Sequence, residues 1–274
     1  MRHHADMREA TLPRALPPRH RRPGPTPGIG RKETPSRVAG SVVGVLGEVL
    51  ITLGFMLGLF MVWQLWWTDV VGEREQAQIV DRLEWARPVQ PEGESGGERG
   101  VGPRRDAAPV DAEPSAVGET FATLQVPRWG ADYLQPISQG TTRAEVLDPL
   151  GIGHYIGTGM PGELGNFALA AHRTTYGKPF NRVEELQVGD PLVVQTETTW
   201  YVYLVTSTQI VDPTAVEVIA PVPGEPGTTP TRAMITFTTC HPEFSLKQRF
   251  IVHGELDYWM PVSDSTPAEL AGGP

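Results

Sequence analysis

Three side chains in this 274-residue sequence could together do chemistry on a peptide carbonyl: the single cysteine Cys240, with His172 and Arg249. A thiol becomes a nucleophile when an acid or base lies within hydrogen-bond reach, and a held oxyanion lowers the barrier further. Arginine suits the second task, because its planar fork carries five donors and no acceptor. Each residue also has a plainer reading. A lone cysteine can form no internal disulfide, so it is either a small buried residue or a free thiol. His172 could cap a loop, and Arg249 could pair with Glu243 or Glu255.

Their settings in the chain favour the chemical reading. MITFTTC (234–240) and RFIVHGEL (249–256) are two strand patterns joined by HPEFSLKQ, which predicts an antiparallel pair. In such a pair Cys240 and Arg249 fall at one end of the sheet. Period-two alternation puts Met234, Thr236, Thr238 and Cys240 on one face, with Ile235, Phe237 and Thr239 on the other. Pro242 follows closely and cannot continue a central strand, so the thiol stands at a strand tip. His172 closes another apolar run, NFALAAH, and opens the polar loop RTTYGKPF, where Arg173 and Thr174 suggest access to solvent and substrate.

The elements that must position these residues occupy 120–262. Short apolar and β-branched runs punctuated by Gly and Pro predict strands at 121–126, 134–137, 166–172, 192–195, 200–211, 234–240 and 249–256. Helical turns are expected at 142–147 and 181–186. This is an all-β domain, most economically one barrel or sandwich. Before it, residues 68–119 read as a short amphipathic helix followed by a spacer rich in Pro, Gly, Glu and Ala. Residues 263–274 read as a disordered tail.

The amino-terminal part is of another kind. Residues 1–37 hold nine Arg or Lys against three acidic residues, a disordered basic tail of about +6 that leaves about −15 on the rest to reach the net −9. Residues 38–67 contain VVGVLGEVLITLGFMLGLFMVW, long enough for a helix to span a bilayer core of about 30 Å. Trp63, Trp66 and Trp67 suit one interface, and Arg31, Lys32 and Arg37 lie before the other end. The expectation is an uncleaved single-pass anchor with a cytoplasmic amino terminus and an extracytoplasmic body; this sets aside nucleic acid as the partner of the basic tail. Glu48 inside the run must be protonated, paired or near the inner interface.

AHRTTYGKPF followed by TFTTCHPEFSLKQRFIVHGEL resembles the sortase family, in its actinobacterial class E branch. That family carries a TLxTC strand end, with an arginine eight or nine residues later. Here it reads TFTTC with Arg249, and the stretch 150–173 is similar to the family's approach to its histidine. The resemblance covers about residues 120–260, and Phe237 stands where Leu is more usual. It implies a closed eight-stranded β-barrel with short helices behind one transmembrane helix. It implies a cysteine transpeptidase cutting an LAxTG-like sorting signal between Thr and Gly on secreted proteins. Cys240 would attack the Thr carbonyl, His172 protonate the leaving amine and Arg249 hold the oxygen, before an amine of a peptidoglycan precursor resolves the thioester. Pilin polymerisation on a lysine amine is one alternative. A catalytically idle, peptide-binding barrel is another.

Tyr176, His154 with Tyr155, and Thr239 are expected to line the substrate groove, with packing in core or loop as the other reading of each. No cofactor and no metal is expected. His154, His172, His241 and His253 show no HxxxH or HExxH spacing, and His241 has no second cysteine near it.

Overall fold

A computed structural model describes residues 36–86 and 102–271. Its contacts divide the chain into two units, residues 1–54 and 55–274. The basic tail up to residue 35 and the first part of the spacer, 87–101, lie outside the described residues.

Helix α1 (Ser36–Arg82) joins the expected membrane helix and the short helix after it into one element of 47 residues. At 1.5 Å per residue it is about 70 Å long, over twice a hydrocarbon core. Every large apolar side chain from Val42 to Trp67 is exposed, and the helix is long and apolar enough to cross a membrane. Beyond the tryptophans its character changes: Gly72, Gln76 and Val80, on one face at intervals of four, are buried.

Eight strands form a closed barrel in the order β1-β2-β3-β4-β7-β8-β6-β5. They are β1 (Thr120–Gln125), β2 (Leu134–Gln139), β3 (Ile152–His154), β4 (Gly165–Ala170), β5 (Pro191–Gln195), β6 (Thr199–Val211), β7 (Ala233–His241) and β8 (Gln248–Pro261). The β2–β3 and β4–β7 pairs are parallel, and the other six are antiparallel. Sequence pattern locates all of these but β3, whose three residues are too few for any period. Gly153 there has no room for a side chain, since a Cβ would stand 2.2 Å from the Gly140 carbonyl oxygen.

Inward residues of the strands, among them Leu124, Ile137, Phe167, Leu192, Ile235 and Phe237, are fully buried in one core. Each such side chain stabilises the fold by about 1.5–3 kcal/mol. Phe237, the departure from the family pattern, stacks on Phe180 at 4.6 Å between centroids.

Two expectations about the flanks need correction. The described part of the spacer, 102–119, straps onto the barrel. Arg104 exchanges two backbone hydrogen bonds with Trp259, and Tyr201 donates to the Pro109 carbonyl at 2.8 Å. Glu113 accepts from Gln139 at 2.7 Å. An extended segment without an apolar stripe can still dock by its backbone and polar groups, which composition does not reveal. The expected disordered tail is also partly ordered. Helix α2 (Ala268–Ala271) packs Leu270 beside the cluster around Trp200 and Tyr258, and Tyr258 hydrogen-bonds Glu269.

Candidate active site

Register brings Cys240 and Arg249 together, and His172 follows just past the end of the neighbouring strand. Cys240 and Arg249 are direct cross-strand partners in the β7–β8 ladder. On the other side of β7, the parallel β4 pairs Ala170 with Thr238, and Thr239 Oγ1 donates to the Ala171 carbonyl at 2.8 Å. His172 and Cys240 thus each lie two residues past the last matched pair. Neighbouring strands are about 4.8 Å apart, so two strand spacings span all three backbones. Their side chains line one cleft of about 470 Å³.

Each is held differently. Cys240 is half-buried at the end of β7, and the buried Arg173 donates to its carbonyl at 3.3 Å. Arg173 also pairs with Glu184 at 2.8 Å and lies 3.0 Å from His241 Nδ1. It therefore ties the residue after His172 to the strand carrying the thiol, and does not face solvent as its loop position suggests. The pairing with Arg173 holds the Glu184 carboxyl below its ordinary range. Arg249 Nη1 donates to the carbonyls of Leu246 and Gln248 at 3.1 and 3.0 Å, which fixes the guanidinium at the cleft.

His172 has the more elaborate support. Its Nε2 donates to Asp148 Oδ1 at 2.6 Å, and Arg143 Nε approaches that same oxygen at 3.6 Å. One face of the imidazole meets the Tyr176 ring, 5.2 Å away and tilted by 32°. A carboxylate on one ring nitrogen orients the ring and leaves the other nitrogen for proton transfer. Sequence reading missed Asp148 as a partner. It sits 24 residues before His172, at the end of the helical turn Arg143–Leu147, and only the turn itself is legible.

The expected groove residues divide. Tyr155 lines the cleft and shares a 3.0 Å hydrogen bond with Thr238, and Thr239 lines it as well. Tyr176 instead backs the histidine. His154 is wholly buried, with Nδ1 2.7 Å from Gln139 Oε1 and Nε2 3.0 Å from Thr158 Oγ1. Burial pushes its pKa below the ordinary value. It is a core residue because His154 and Tyr155, adjacent in sequence, point to opposite sides. Leu147, Phe244 and Leu246 supply an apolar rim that sequence reading also left out. Among the described residues no group of three His, Cys, Asp or Glu is gathered to hold a metal ion.

Comparison with known proteins places this geometry in company. The family model for the sortase domain matches residues 124–257. Sortase SrtE1 of Streptomyces coelicolor is 36% identical over 251 residues, covering 88% of this chain and 65% of that protein. Sortase SrtE2 of the same organism is 37% identical over 250 residues, covering 86% and 90%. The chain thus spans just under two thirds of the first relative and most of the second. Among solved structures, the SrtA sortase from Actinomyces oris is 46% identical with a TM-score of 0.58, over 61% of this chain and 95% of that one. Sortase E1 from Streptomyces coelicolor, with a tripeptide in its active site, is 39% identical with a TM-score of 0.52, over 56% and 97%.

Proposed function

The chain belongs to the sortase family, and from that premise we propose that it is a membrane-anchored cysteine transpeptidase acting on an LAxTG-like sorting signal. The observation that carries the reading is the convergence of His172, Cys240 and Arg249 from three adjacent strand ends on one cleft.

The Cys240 thiolate attacks the Thr carbonyl carbon, and the charge that develops on oxygen is held by Arg249. As the C–N bond to Gly breaks, His172 gives its proton to the departing amine, which leaves a thioester on Cys240. An incoming amine of a peptidoglycan precursor then attacks the thioester carbonyl and gives a proton back to His172. The C–S bond breaks and the thiolate is restored. Atoms and charge balance without a cofactor. The tripeptide in the relative's active site supports a peptide as occupant of the cleft. Leu147, Phe244 and Leu246 offer the apolar surface that a leucine-led signal needs.

The full chain in detergent, given an LAxTG peptide and a primary amine, should form a thioester on Cys240 that mass spectrometry detects, and then the amide product. Peptide binding with neither thioester nor product would leave a binding barrel in place of an enzyme. The basic tail and trailing tryptophans support a cytoplasmic amino terminus, so protease on wall-stripped cells should remove the domain after residue 67. Full protection of that domain would reverse the orientation.

A further inference from the structure

The reaction above makes no use of the buried face of α1, yet that face rests against the loop leaving His172. Gly72 comes so close that a Cβ there would stand 2.5 Å from the carbonyl carbon of Tyr176 and 2.6 Å from the amide nitrogen of Gly177. One turn on, Gln76 is 1% exposed and its Nε2 donates to the Tyr176 carbonyl at 2.9 Å. Its amide is wedged against Gly177, where a Cβ would meet Oε1 at 2.6 Å. Asp69, one turn before Gly72, accepts from Lys178 Nζ at 2.8 Å. The gripped segment is itself unfavourable, with φ of 55° at Tyr176 and 38° at Lys178. Side chains other than glycine adopt that region seldom, and keep it only where the surroundings over-determine it. The Tyr176 ring lies against His172, so whatever sets Tyr176 sets the wall of the imidazole.

We propose that residues Asp69 to Gln76 of α1 form a clamp on the His172 loop, with Gly72 and Gln76 as positioning residues that act on His172 through Tyr176. The proposal rests on His172 being the acid of the reaction above. Its consequence is that the helix bearing the apolar span also completes the active site. Gln76 lies nine residues past Trp67, about 14 Å along the helix at 1.5 Å per residue. A misplaced acid lowers the rate of bond breaking more than it weakens peptide binding, so the clamp should be read in kcat.

The test uses the full chain in detergent with an LAxTG peptide and an amine acceptor. Alanine forms helix better than glycine, so Gly72→Ala can harm activity only through the loop. Gly72→Ala and Gln76→Ala should each lower kcat by roughly tenfold while KM stays within about twofold, and should shift the limb of the pH profile that reports His172. Gln78→Ala, on the exposed side, should match wild type. Asp69→Lys should lower kcat, and Asp69→Lys with Lys178→Asp should restore it, which mere unfolding would not allow. Independently of turnover, Gly72→Ala should speed chymotrypsin cleavage after Tyr176, in the segment that the helix grips. Wild-type kcat and pH profile in both Gly72→Ala and Gln76→Ala would overturn the clamp, whether or not cleavage is faster, and so would a charge swap that restores nothing. A wild-type chain inactive on every peptide, yet with the chymotrypsin difference present, would sink the transpeptidase reading and leave the clamp standing.

Discussion

Cys240 and Arg249 reach the cleft by a backbone ladder, whereas His172 reaches it on a loop held by side chains from distant parts of the chain. The ladder is local: nine residues separate the pair, and eight matched positions from Met234 to His241 leave no freedom of register. A slip of one residue would turn every side chain of β7 to the other face. The loop depends instead on Asp148, Tyr176 and the helix that packs behind them. The two regions should therefore fail differently. Damage to the ladder removes a chemical group from a rigid frame, while damage to the loop leaves the group present but misplaced.

Cys240→Ala should abolish both thioester and product, with thermal unfolding nearly unchanged, because the side chain is half-buried and the ladder bonds are made by backbone. Any wild-type turnover by that variant would break the comparison at its root. His172→Ala should lose about 10²–10⁴ in kcat, the usual worth of an acid–base group. Arg249→Lys should lose about 10²–10³, as for an oxyanion donor, since an ammonium cannot reproduce the planar fork. Steady-state kinetics on the LAxTG peptide checks both, and an active Arg249→Lys would remove the need for two-point recognition.

Asp148→Asn sharpens the contrast. It keeps the shape but removes the charge facing His172 Nε2, and should cost roughly tenfold in kcat with a displaced pH profile. An unchanged profile would mean that Tyr176 and the loop backbone suffice to hold the ring.

The smallest effect at neutral pH belongs to the ladder's buried end. His253 pairs with Thr236 across β7–β8, and Thr236 in turn donates to Asn166 at 2.7 Å. Nδ1 lies 2.8 Å from Thr236 Oγ1, and Nε2 lies 3.0 Å from Gln209 Nε2. This network suits a neutral imidazole, because a second N–H would face the Gln209 amide donor. Burial pushes the pKa down to about 4 from an ordinary 6.5. Between those values the unfolded chain binds the proton and the folded one does not. Stability is therefore full above about pH 6.5 and falls as pH drops towards 4, by on the order of 3 kcal/mol. His253→Gln should flatten that fall in denaturant melts across pH, with activity at pH 7 little changed. An unaltered slope would assign the acid sensitivity elsewhere.

Legibility follows the same division. The TFTTC strand end, the arginine nine residues on and the histidine closing NFALAAH are readable because period-two alternation and a short connection carry burial and register in the chain itself. His154 and Tyr155 look alike as groove candidates, yet one is in the core and the other at the cleft. A run as short as β3 leaves its facing undetermined until its neighbours are in place.

By itself the sequence determined the apolar helix, seven of the eight strands and the meeting of Cys240 with Arg249. Those rest on patterns repeating over two to twenty residues, each with a local physical cause. Only the tertiary structure decided that Asp148 serves His172 across 24 residues, that Gln76 reaches Tyr176 across 100, and that residues 102–119 strap the barrel. Such contacts exist because a closed sheet brings distant segments to one rim. Nothing in the local pattern of Asp148 or Gln76 differs from that of a solvated residue until the barrel has closed.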